Sequence, residues 1–142
     1  MTHEEQQAIL DAILTRANRP GSFNVENGIR LTDISDGAAE GQVALTGRHL
    51  NPLGIVHGGV YCTLMDQVAG AAACSRGSRC VTVDCETRFL DAADGGALYG
   101  HARAVRMGHT IVVMRAWVTD SRGVTCAEGT YTFRMKPGFP AE

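Results

Sequence analysis

No block of lysine and arginine occurs anywhere in this chain, so the electrostatic footprint of a nucleic-acid binder is missing. The formal net charge is −2 and the pI about 6.2. The cysteines (Cys62, Cys74, Cys80, Cys85 and Cys126) are odd in number and never spaced C-x-x-C. That excludes an evident disulfide framework or zinc site and reads as reduced core or interface thiols of a cytoplasmic protein. The first residues, MTHEEQQAIL, are acidic and lack the basic start and apolar run of a secretory signal. The longest small and apolar stretch, 59–75, is short and carries Asp66, so it is a poor membrane span. Linkers, repeats and low-complexity runs are also lacking, and residues 1–142 are expected to form one domain.

What is present is enough to build a core without metal or disulfides: 142 residues, 44% hydrophobic and 20% charged. Thr2 and Glu5 make a T-x-x-E capping box, and Ile9, Leu10, Ile13 and Leu14 predict a short amphipathic helix over about 2–17. Strands are expected near 29–35 and 39–47, joined at Asp36-Gly37. A long helix over about 58–75 has Val60, Leu64 and Val68 on one stripe. Its other face is made of Gly59, Cys62, Thr63, Asp66, Gly70 and Ala73. A helix that is small or apolar almost all round is expected to be buried. Four strands follow, with Val81, Val83, Cys85, Thr87 and Phe89 alternating with Thr82, Asp84, Glu86 and Arg88, then near 97–106, 111–119 and 124–135; the tail after 136 is expected to fray. Long strands with short loops imply an antiparallel sheet. The order predicts an α+β fold, one sheet of about six strands wrapped around a central helix, with edges that call for homo-oligomerisation.

The chemistry concentrates in the segment NPLGIVHGGVYCTLMDQVAGAAACS, from Asn51 to Ser75, in which only Asp66 carries a formal charge. A carboxylate in such surroundings is costly to bury and calls for a role, as a base toward water or as a nucleophile toward a carbonyl. Gly58 and Gly59 open a helix, where free N–H groups and the positive end of the helix dipole suit a developing oxyanion. His57 is a poor metal ligand here, since no second ligand lies at i+4. Gly58 and Asp66 are eight residues apart. On one helix that is roughly 12 Å, whereas reacting groups must approach to about 3–3.5 Å. If both act on one carbonyl they must come from different chains, in a two-fold dimer with two equal sites.

The pattern N-x-x-G-x-x-H-G-G followed by D, here Asn51, Gly54, His57, Gly58, Gly59 and Asp66, resembles the hotdog-fold acyl-CoA thioesterases of the phenylacetate-degradation (PaaI-like) branch. The strand VTVDCETRFLDAA from Val81 and the turn AVRMGHT from Ala104 are further, weaker matches, and the similar layout spans roughly 28–134. Glu86 stands where the family usually has Asn, and Asp91-Ala92 replaces its commoner basic residue and Pro. The resemblance implies a hotdog fold and hydrolysis of an aryl-acyl or short-to-medium acyl-CoA to free acid and coenzyme A, with no metal or other cofactor. It implies Asp66 as general base or nucleophile and the Gly58 N–H as polariser of the thioester. Asn51 would place the thioester or water, His57 buttress the loop and Thr82 bind the attacking water. Gly59, Asp84 and Glu86 are candidate substrate contacts, the two acids either lining the acyl pocket or facing a partner subunit. Arg76, Arg88, Arg103, Arg106 and Arg134 are candidates for the coenzyme phosphates. A dimer with shared sites, and a dimer of dimers, is expected. Two other readings stay open: a non-catalytic acyl-CoA-binding hotdog module, and a hotdog enoyl-CoA hydratase or dehydratase.

Overall fold

The computed structural model describes residues 1–139. The chain begins with α1 (His3–Ala17), started by the expected capping box: the Glu5 N–H donates to Thr2 Oγ1 at 3.1 Å and the Thr2 N–H to Glu5 Oε2 at 2.7 Å. Leu10 and Ile13 of α1 are buried. At its end Asn18 stitches the helix to the first strand, donating to the Leu31 carbonyl at 2.8 Å and accepting from the Leu31 N–H at 2.9 Å. A one-turn helix α2 (Phe23–Glu26), capped by Ser22, was not expected from the sequence. Four residues are too few to show a helical period.

Strands β1 (Ile29–Ser35) and β2 (Ala38–Ala44) form a hairpin that turns at Gly37, whose φ of 69° requires glycine. The second strand is shorter than the expected 39–47, because the chain leaves the sheet and makes a single 3₁₀ turn at Gly47–His49. The buried His49 fastens that turn, with Nδ1 accepting from the Thr46 N–H at 3.0 Å and Nε2 donating to the Asn27 carbonyl at 2.8 Å. Helix α3 (Gly58–Ala73) is followed by β3 (Arg79–Phe89), β4 (Ala97–Met107), β5 (Ile111–Asp120) and β6 (Thr125–Lys136). All six strands pair antiparallel in the order β1-β2-β4-β5-β6-β3. One sheet around one central helix is the hotdog fold.

The sheet accepts the helix closely because Gly41 of β2 lies directly opposite Gly100 of β4. A methyl on Gly100 would fall 2.7 Å from Leu64 Cγ, and one on Gly41 would fall 3.0 Å from Val68 Cγ1. Leu64 and Val68 are completely buried, so the expected apolar stripe does pack on the sheet. The opposite stripe of α3, with Gly59, Cys62, Thr63, Asp66 and Gly70, remains half-covered or open in the single chain, although Ala73 is buried. Beyond β6, Phe139 packs against the core and lies under the Arg16 guanidinium, 5.7 Å from its ring centroid. The tail is thus anchored as far as Phe139, where fraying from 137 was expected; residues 140–142 lie outside the described part.

Among the described residues, strand β3 has a neighbour on one side only. Its Val81 and Val83 are 51% and 55% exposed, an open apolar edge of the kind proteins cover by association. At the far end of the sheet the β5–β6 turn is organised by Asp120, which is buried and accepts from the backbone N–H groups of Asp94, Arg122 and Val124. Arg122 Nη2 approaches it to 2.7 Å. These donors, Arg122 foremost, hold the Asp120 carboxyl well below the usual carboxylate range.

Candidate active site

The residues singled out from the sequence fall into three groups. The first lies at the start of α3. The loop before it is shaped by Asn51, whose Oδ1 accepts from the N–H groups of Leu53 at 2.9 Å and Ile55 at 3.3 Å. The Asn51 amide nitrogen has no partner among the described residues and remains a donor. His57 is the N-cap of α3: its Nδ1 accepts from the Gly59 N–H at 2.8 Å, which fixes the ring proton on Nε2. A methyl on Gly59 would come within 3.1 Å of that ring nitrogen, so the close cap is itself a reason for glycine there. The Gly59 N–H is thus occupied, and the Val60 N–H bonds the His57 carbonyl. In this first turn Gly58 keeps an N–H with no partner among the described residues. It lines a cleft of about 390 Å³ with Ile55, Val56, Tyr61, Phe89 and Leu90.

The second group lies in the second half of α3. Asp66 is half-buried, and the Thr82 hydroxyl donates to its Oδ1 at 2.8 Å. Both line a separate cleft of about 350 Å³, with Gln67, Gly70, Cys80 and Phe133 among its walls. Helix α1 closes one side of it through Ile13, Arg16 and Ala17. The sequence carried no sign of that contribution, because α1 reaches Asp66 only through tertiary packing; its apolar period marked Ile13 simply as core. Tyr131 stands behind the helix, its hydroxyl donating to the Cys62 carbonyl at 3.4 Å, and burial pushes its phenol up to about 12, so it stays protonated at neutral pH.

The third group is Asp84 and Glu86, and here the structure corrects the expected alternation. A bulge at Val83 leaves that residue without a partner, so Thr82 pairs with Phe133 while Asp84 pairs with Thr132. The extra residue reverses the parity of the strand. Thr82, Cys85 and Thr87 share the helix side with buried Phe133 and Tyr131, and Thr87 bonds the Tyr131 hydroxyl. Asp84 and Glu86 lie on the outer face, not beside Thr82, and Glu86 accepts from Arg88 at 2.7 Å. Of the arginines considered for phosphates, Arg76 is held by Asp36 at 2.8 Å and Arg88 by Glu86; Arg103, Arg106 and Arg134 make no ion pair among the described residues.

Chemically, the first cleft offers a backbone donor at a helix N-terminus and the second offers an oriented carboxylate. Both sit on one rigid helix, eight residues apart, or roughly 12 Å. Within one chain they cannot serve the same reacting atom. Among the described residues no cluster of three or more His, Cys, Asp or Glu side chains is arranged to hold a metal ion, and no helix is long and apolar enough to cross a membrane.

Comparison with known proteins agrees with this architecture. The E. coli PaaI protein, from the phenylacetic acid degradation operon, superposes with a TM-score of 0.84 over 95% of this chain and 96% of its own, at 20% identity, a likeness of fold. The smu.793 protein of Streptococcus mutans, solved bound to acetyl CoA, superposes with a TM-score of 0.78 at 25% identity, covering 87% of this chain and all of that one (100%). Rv1847 of Mycobacterium tuberculosis, provisionally named an esterase, is 28% identical over 113 residues, which are 75% of this chain and 81% of that protein. The family model described as the thioesterase superfamily matches residues 53–127, more than half of the chain. That span contains all of α3 with Gly58 and Asp66, and β3 with Thr82; the chain belongs to the thioesterase superfamily and is a thioester hydrolase.

Proposed function

We propose that this thioester hydrolase acts on acyl-CoA, releasing free acid and coenzyme A from an aryl-acyl or short-to-medium acyl group, at sites shared between two chains. The observation that carries the proposal is the division of the machinery: the free Gly58 N–H opens on one cleft of α3 and the Asp66–Thr82 pair on another. The half-open small-residue stripe of α3 and the unpaired β3 edge favour pairing of two copies across that side. The acetyl CoA bound by the Streptococcus mutans protein supports coenzyme A as the leaving group here. The PaaI-like branch is supported by the Asn51, His57-Gly58-Gly59 and Asp66 pattern.

In this reading the thioester oxygen accepts from the Gly58 N–H, which stabilises the negative charge as the carbonyl carbon becomes tetrahedral. The Asn51 amide, held by its loop, donates to the thioester or to water from the same side. Asp66 of the partner subunit, oriented by the Thr82 hydroxyl, acts through its other oxygen. As general base it takes a proton from a water that Thr82 also holds by accepting a hydrogen bond, and that water attacks the carbonyl; as nucleophile it attacks the carbonyl itself, forming a mixed anhydride that water then hydrolyses to the free acid, restoring the carboxylate. The thiolate of coenzyme A leaves in either case. No metal or other cofactor enters these steps, and the dimers are proposed to pair further into tetramers.

The test is a panel of aryl, short and medium acyl-CoAs with free thiol release followed by a trapping dye. Saturated members of the panel are expected to turn over, and chelators to have no effect on the rate. Tight binding of acyl-CoA without release of coenzyme A overturns the proposal in favour of a binding module. Turnover confined to enoyl-CoAs, by addition of water without loss of the thioester, overturns it in favour of a hydratase.

A further inference from the structure

Two of the five thiols touch. Cys74, the C-cap of α3, and Cys80, on the helix side of β3, hold their sulfurs 3.3 Å apart. Both line the same cleft as Asp66 and Thr82, so a small oxidant can reach them. The turn between them is not slack. Ser75 is fully buried, its Oγ accepts from the Gly37 N–H at 2.9 Å and its carbonyl accepts from Gln6 Nε2 at 2.6 Å. Arg76 is tied to Asp36 at 2.8 Å. These anchors hold the two sulfurs facing each other. Cys62, Cys85 and Cys126 have no such thiol contact among the described residues.

We propose that Cys74 and Cys80 form a redox-modification site, in which a peroxide converts the pair to a disulfide that staples the end of α3 to the start of β3 and disables the adjoining Asp66 cleft. One thiolate attacks the peroxide O–O bond and becomes a sulfenic acid, releasing hydroxide. The second thiol then attacks that sulfur, the S–S bond forms and water leaves. Two electrons pass from the sulfurs to the peroxide, and a dithiol reductant reverses the step. The Cys80 thiol beside it holds Cys74 below the usual thiol range, so Cys74 is the better first attacker, while Cys80 is pushed up. Closing the gap from 3.3 Å to a bond of about 2.05 Å draws β3 toward the helix end. Thr82 lies two residues along that strand on the same side, and its hydrogen bond to Asp66 is the next link inward. A shift of about 1 Å is enough to cost an active site heavily.

The predicted loss of activity rests on the hydrolase reading, whereas the cross-link does not. The full chain is reduced, exposed to hydrogen peroxide, freed of it, and divided between peptide mapping and acyl-CoA turnover. A Cys74–Cys80 peptide lighter by two hydrogens is expected, with kcat reduced about tenfold or more, both reversed by dithiothreitol. Cys74→Ser and Cys80→Ser proteins, each measured against its own untreated rate, are expected to keep their activity after the same exposure. Absence of the linked peptide at doses that oxidise Cys85 overturns the proposal. So does a linked protein with unchanged turnover, or an equal peroxide loss in the serine variants. If the untreated protein hydrolyses no acyl-CoA, the hydrolase reading fails, and peptide mapping alone still decides whether the modification site exists.

Discussion

The Thr82 hydroxyl donates to Asp66 Oδ1 at 2.8 Å, joining an edge strand to the central helix at the one acidic residue of α3. Thr82 follows Cys80 on the helix side of β3, and the bulge at Val83 turns Asp84 away from it. The Thr82 bond leaves the second carboxylate oxygen available for a proton or a carbonyl carbon.

Asp66→Asn keeps the shape and the Thr82 contact but removes the carboxylate proposed as base or nucleophile. A fall in kcat of roughly 10² or more is expected, with substrate binding largely kept. Thr82→Ala removes one hydrogen bond, worth about 0.5–1.5 kcal/mol, so it is expected to lose about tenfold or less with the same acyl preference. Steady-state kinetics on folded proteins checks both. Near-normal kcat in Asp66→Asn, or a Thr82→Ala loss as large as that of Asp66→Asn, contradicts the assignment.

The shared site is tested by subunit mixing. Asp66→Ala and Asn51→Ala proteins, each nearly inactive and still dimeric, are unfolded together and refolded in equal amounts. Roughly half the dimers are then mixed, and each mixed dimer has one site with both lesions and one with neither. Activity is expected to return to roughly a quarter of wild type. No recovery, with mixed dimers verified by mass spectrometry, means that Asn51 and Asp66 serve one site within a single chain.

Gly100→Ala places a methyl 2.7 Å from Leu64 Cγ, on a fully buried side chain. Overpacking of this kind costs about 1–3 kcal/mol, read as a lower denaturation midpoint. Gly47→Ala meets no atom within 4 Å and serves as the control. Equal midpoints for the two variants would show that the Gly41–Gly100 groove is not what seats α3.

Asp120 has a lowered pKa in the folded protein, so it binds its proton less readily there than in the unfolded chain. Its contribution to stability is present above the unfolded value and lost as pH falls below it toward the folded one. Asp120→Asn is therefore expected to lower Tm at pH 7, with the gap to wild type narrowing as pH drops below about 4. A gap that stays constant from neutral pH down to strongly acid pH would rule out ionisation of Asp120 as its source.

Local patterns made much of the fold legible in the amino-acid sequence. The apolar and small run after His57-Gly58-Gly59 marked α3 to within two residues at its end, and the turn residues at Asp94-Gly95-Gly96, Met107-Gly108-His109 and Asp120-Ser121-Arg122-Gly123 marked β4, β5 and β6 nearly to the residue. Asp66 stood out because a single charge in such a run has few structural excuses. The spacing of Gly58 and Asp66 along one helix already required two chains for one carbonyl, since helical rise is a property of the backbone. Tertiary structure decided the rest. Alternation cannot announce a bulge, because the extra residue at Val83 changes the register only against β6, and with it the side on which Thr82, Asp84 and Glu86 emerge. Strand order is likewise a matter of distant pairing: β3 precedes β4 in the chain yet lies at the opposite side of β6, at the open edge. The Asp66 cleft needs α1, β3 and α3 together, and Cys74 meets Cys80 across a turn whose Ser75 and Arg76 are anchored to other elements. Such contacts depend on where whole elements dock, which the free energy of the packed core selects and no short window of residues records.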